Sequence, residues 1–162
     1  VFIITAITFS LIIIFGYQSI SDFIDKGEQV EFFQFKSSLE SSIKKIYSEY
    51  GAVRQETYHV PGSYDQVCFI DLDHKPSQLE INALCEKDKL ACDVWKTAKE
   101  SDLGYNGADE NVFLTPSAPV SLKVYKIDID GGFLCMSIDK GAFTLRLEGK
   151  GAKTYLTNEI VG

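Results

Sequence analysis

The chain has 162 residues, and its 16 Lys+Arg against 23 Asp+Glu leave a formal charge of −7 and an isoelectric point near 4.8. That length suits one ordinary domain plus an appendage, and the acidic balance lacks the basic surface that nucleic-acid phosphates require. The charge is unevenly placed: Val1 to Ser21 carries no Asp, Glu, Lys or Arg.

That first stretch, VFIITAITFSLIIIFGYQSIS, is rich in Ile, Phe and Leu. As a helix it would span about 30 Å, the thickness of a bilayer's hydrocarbon core, so it is expected to be a transmembrane helix or an apolar assembly core. A secretory signal would need a basic start, a shorter apolar run and a small-residue cleavage site, which are absent. The chain opens on Val1, which fits removal of an upstream leader. Phe2, Ile3, Ile4, Phe9, Ile12, Ile13 and Phe15 are the apolar residues assigned to that core.

From Asp22 to Tyr50 the chain has no Pro and only Gly27 as an internal glycine, with Gly51 at a helix C-cap position. One helix over residues 1–51 is therefore expected, apolar over 1–21 and amphipathic over 22–50. At 100° per residue, Phe32, Phe35, Leu39, Ile43, Ile46 and Tyr50 fall within about 80°, a stripe suited to packing on the rest of the chain. Phe23 and Val30 lie nearly opposite it and Phe33 to the side. These three belong with the assembly residues, because one head cannot cover both faces.

Residues 52–162 are expected to form a β-rich head. VRQETYHV and QVCFIDL read as strands around Pro61-Gly62, and SQLEINALCEKDKLACDVWKTAKES as one or two helices. SDLGYNGADEN reads as a surface loop. VSLKVYKIDI, FLCMSID, AFTLRLE and KTYLT, separated by glycine turns, read as an antiparallel meander. In the first of these the apolar parity shifts near Val124-Tyr125, which a bulge would accommodate. The fold class is α+β, a long N-terminal helix packed on an antiparallel head.

Cys68, Cys85, Cys92 and Cys135 all lie in the head. An even count beside an export-type segment favours two disulfides outside the cytoplasm, with three connectivities open. On a continuous helix Cys85 and Cys92 would be about 10 Å apart, too far to bridge. If they pair, the helix breaks near Lys87–Lys89, and Cys68 and Cys135 pair across the sheet. Buried free thiols are the alternative, and no zinc-ligand spacing occurs.

Little chemistry is legible. Asp71, Asp73 and His74 could hold a metal or serve a hydrolase, but acids after a strand are more commonly a turn or helix cap. Asp128-Ile-Asp130-Gly131 lacks the later ligands of a calcium loop and suits a hairpin turn. No glycine-rich phosphate loop, nucleophile elbow or HExxH occurs, so no cofactor and no catalytic residue is assigned.

The apolar start, the amphipathic continuation to Tyr50 and the cysteine-bearing head resemble a type IV pilin superfamily subunit. Thr5 stands where bacterial major pilins usually carry Glu, so the resemblance is to the archaeal pilins and archaellins. It implies processing by a prepilin peptidase, residence in the membrane before assembly, handling by pilus machinery, and homopolymerisation into an extracellular filament. A single-pass anchored adhesin or minor pilin, using the 101–111 loop for contact, is the alternative.

Overall fold

The computed structural model describes the backbone over residues 2–159 and the side chains at 13, 14 and 27–159. The chain divides into two compact units, Val1–Gln34 and Phe35–Gly162, so the division falls inside the first helix, α1 (Phe2–Tyr47).

Among its described residues the second unit contains the last turns of α1, two shorter helices and seven strands. The strands are β1 (Val53–His59), β2 (Gln66–Ile70), β3 (Val112–Thr115), β4 (Ile127–Asp128), β5 (Phe133–Ser137), β6 (Ala142–Gly149) and β7 (Thr154–Thr157). The helices α2 (Gln78–Lys87) and α3 (Lys89–Ser101) lie between β2 and β3. One sheet has the order β1-β6-β7-β4, the other β3-β2-β5. All pairs are antiparallel except β4 with β7, which is parallel.

Alternation explains the packing. In β6, Phe143, Leu145 and Leu147 are buried and the residues between them only half so. Against that face lie Leu39, Ile43 and Ile46 of α1, all buried, and Phe35, whose ring meets Phe143 edge-on at 6.0 Å. β2 is apolar on both faces because both are covered. Phe69 reaches Phe143 at 6.2 Å, while Cys68 and Ile70 join Leu84, Cys92 and Trp95 in the cluster beneath α2 and α3.

The expected fold class is corrected here. No helix among the described residues is long and apolar enough to cross a membrane. From Gly27 onward α1 meets Glu28, Glu31, Lys36, Glu40, Lys44 and Lys45, a charge on nearly every turn, which a bilayer core does not tolerate. Nor do the strands of the head follow one another in an antiparallel meander. β5 leaves its sequence neighbours to pair with β2, in a register that sets Cys135 opposite Cys68, and β6 pairs with β1 and β7. Gly131 and Gly132, at φ 73° and 77°, turn the chain from the first sheet into the second.

The expected continuation of the helix to Tyr50 is also corrected. α1 ends at Tyr47, where Gly151 N–H caps the Tyr47 carbonyl at 2.9 Å, and Gly51 instead donates to the Gly149 carbonyl at 2.8 Å. Beyond the helix the 100° rule no longer applies, and Tyr50 is 84% exposed.

Two further differences concern the segment around Val120. The strand Val112–Thr115 follows directly on the 101–111 segment, where the sequence reading assigns none, and VSLKVYKIDI forms only a bridge at Leu122 and the short β4. The parity shift there has a specific cause. The buried Asn111 side chain accepts from Val124 N–H at 2.8 Å and donates to Val124 C=O at 3.2 Å, standing in for a strand partner. Leu122 and Val124 are thereby buried before the offset, and Ile127 and Ile129 after it.

Candidate functional site

β2 delivers Asp71 to a buried position, where an unpaired carboxylate would be costly. Lys153 meets both of its oxygens at 3.1 and 3.3 Å, and Asp73 N–H donates to Oδ1 at 2.9 Å. Asp73 in turn accepts from Tyr105 N–H at 3.0 Å and lies 3.9 Å from Lys126. His74 stacks on Trp95 with ring centroids 6.1 Å apart, and its Nε2 lies 3.4 Å from Glu80 Oε1. Trp95 Nε1 donates to the Asp71 carbonyl at 3.2 Å.

Glu80 is itself committed to the start of α2. Ser77 N–H donates to its carboxylate at 2.6 Å while Glu80 N–H donates to Ser77 Oγ at 3.3 Å, a reciprocal capping box. The Ser77 backbone bond, above all, holds the Glu80 carboxyl below the usual carboxylate range.

An open cleft of about 400 Å³ adjoins these residues, lined by Asp73, His74, Lys75, Asp102 and Leu103 among others. Its charges are of both signs, and Lys75 and Asp102 pair at 3.5 Å. Among the described residues no trio of His, Cys, Asp or Glu is grouped to hold a metal. The three sequence-flagged residues do come together, but each is engaged in tying β2 to β7, to α2 or to the 101–111 segment.

That segment is more ordered than its lack of pattern suggests. Gly104–Gly107 forms a 3-10 turn, and the Tyr105 ring lies 6.1 Å from Tyr125, which lies 4.6 Å from Tyr47. Lys123 sits 4.2 Å above the Tyr105 ring and donates to the Ala108 carbonyl at 2.7 Å. Burial, first of all, raises the Tyr105 hydroxyl above its ordinary range. Sequence reading missed this tyrosine ladder, because its members lie on three separate segments with no shared spacing.

The cysteines form two bridges, Cys68–Cys135 and Cys85–Cys92. Asp88 ends α2 and begins α3, its carboxylate accepting from Ala91 N–H at 2.9 Å. This break between the helices brings the Cα atoms of Cys85 and Cys92 to 4.9 Å. Cys68 and Cys135 face each other directly across β2 and β5. Two disulfides fit formation in an oxidising environment such as the cell exterior.

The residues assigned to assembly and those assigned to packing of the helix on the head are placed as follows. In the first unit Val30 and Phe33 are each 57% exposed and Ile13 58%, whereas Phe32 is buried. Phe2, Ile3, Ile4, Phe9, Ile12, Phe15 and Phe23 lie outside the residues whose side chains are described. In the second unit Phe35, Leu39, Ile43 and Ile46 are buried and Tyr50 is not. Compared with models of known families, with curated proteins and with solved structures, the chain gives no match.

Proposed function

We propose that the chain is a structural subunit of an extracellular type IV pilus-like filament, polymerising with copies of itself through its N-terminal segment. The observation that carries this reading is the pairing of an uncharged Val1–Ser21 with Val30 and Phe33 left more than half exposed further along α1. Water-exposed apolar side chains beside an apolar run call for a partner. Burial returns about 25 cal/mol per Å² of apolar surface, so several hundred Å² per subunit would hold copies together without covalent links.

In this reading lipid shields the N-terminal segment before assembly, and a prepilin peptidase and pilus machinery process and polymerise the chain. The disulfides supply durability outside the cell, and the acidic surface keeps repeated copies in solution. Contacts between copies are heterologous and do not close.

The test is Val30→Glu with Phe33→Glu in the full chain. These exposed sites make little contribution to the fold, so thermal unfolding of the secreted or extracted protein is expected to be unchanged while filaments are lost. Filaments of normal yield and length from the double variant would reject this face as an assembly contact.

A further inference from the structure

β1 lies at the margin of its sheet and, among the described residues, pairs as a strand with β6 alone. Edge strands are ordinarily blunted by Lys, Pro, a bulge or shortness, because their unpaired backbone groups recruit other strands. β1 has none of these protections. VRQETYH runs through seven residues in unbroken register with β6 and contains neither Lys nor Pro. Of the other margins, β4 has only two residues, β3 is bridged by Leu122 and followed by Pro116, and β5 has five residues against the seven of β1.

The ladder fixes which backbone groups are free. Ala52 C=O accepts from Gly149 N–H at 2.9 Å and Val60 N–H donates to Gly141 C=O at 2.8 Å, so the even-numbered residues face β6. The odd-numbered Val53, Gln55, Thr57 and His59 therefore turn their N–H and C=O groups outward, and their side chains are exposed.

We propose that β1 is a self-recognition edge, pairing antiparallel with β1 of a second copy about a two-fold axis at Gln55. Charge selects this register. It sets Arg54 opposite the partner's Glu56 on both sides of the axis, and Val53 opposite the partner's Thr57. A shift of one residue in the axis places Glu56 against the partner's Glu56, a like-charge pair that destabilises a ladder. A further shift places Val53 against the partner's Pro61, which has no N–H to donate.

Both charged groups retain capacity for a second partner. Arg54 uses one guanidinium nitrogen on Glu49 at 2.8 Å, and Glu56 uses one oxygen to accept from Tyr58 at 3.0 Å. The contact is its own complement, so it closes as a dimer and is independent of any polymerisation through the N-terminal segment.

The test is cysteine cross-linking of the full chain, whose native cysteines are all in disulfides. Gln55→Cys is expected to give a disulfide dimer on a non-reducing gel, about tenfold more than Thr57→Cys alone, while a mixture of Val53→Cys and Thr57→Cys chains cross-links as a heterodimer. Adding Thr57→Pro to Gln55→Cys removes an outward N–H and the Thr57–Thr144 hydroxyl contact but none of the backbone hydrogen bonds to β6, and should abolish the dimer at unchanged circular dichroism; Thr57→Val with Gln55→Cys, which loses only the hydroxyl contact, should keep it. Equal cross-linking at 55 and 57, or none at 55 in a folded chain, overturns the proposal. Electron microscopy of the same samples reads filament formation separately: filaments without the Gln55 cross-link refute this edge alone, and the cross-link without filaments supports it while counting against the filament reading.

Discussion

Asn111 illustrates how one side chain can replace a strand. Both backbone groups of Val124 are buried and their partners are the two ends of the Asn111 amide. Replacing Asn111 by Ala removes both partners at once, and each orphaned group costs about 1–3 kcal/mol. Asn111→Ala is expected to lower the urea midpoint by the equivalent of about 2 kcal/mol or more, whereas Asn106→Ala, on the exposed turn, should leave it unchanged. The parity shift at Val124-Tyr125 is visible in the sequence, but its cause is not. Nothing in the spacing connects Asn111 to a position thirteen residues on. The same holds for Asp71: a carboxylate near a histidine reads as chemistry, and only the fold reveals that Lys153, the residue before β7, engages it.

Among the elements, local patterns were legible where one face is buried and the other is not. AFTLRLE alternates in β6 as its sequence does, and Phe35, Leu39, Ile43 and Ile46 form the buried face of α1 at helical spacing. Pairing was not legible, because glycine turns signal where a strand ends without specifying which sheet receives the next one. The helix terminus was misplaced for a similar reason: the capping groups of α1 come from the Gly149–Gly151 turn, distant in sequence. Gly149 carries this junction. A Cβ there would collide with the main-chain carbonyl oxygens of Ile46 and Glu49, which cannot swing aside as a side chain can. Gly149→Ala is therefore expected to cost about 2 kcal/mol, and Gly62→Ala, where a Cβ meets open space, close to nothing. Paired urea titrations of these variants would decide whether the helix end is seated on β6 as described.

For the whole molecule, the uneven distribution of charge takes on a definite meaning. Within the second unit, α1 from Phe35 onward and the two sheets share one interior around Phe143, and the helices α2 and α3 cover the other face of β2. Contacts between copies are the use we propose for an uncharged Val1–Ser21 followed by exposed Val30 and Phe33. The most direct test is electron microscopy of native material carrying the full chain, extracted without denaturant. The account predicts uniform filaments in which this chain is the repeating subunit; monodisperse particles with no filaments at any protein concentration would contradict it.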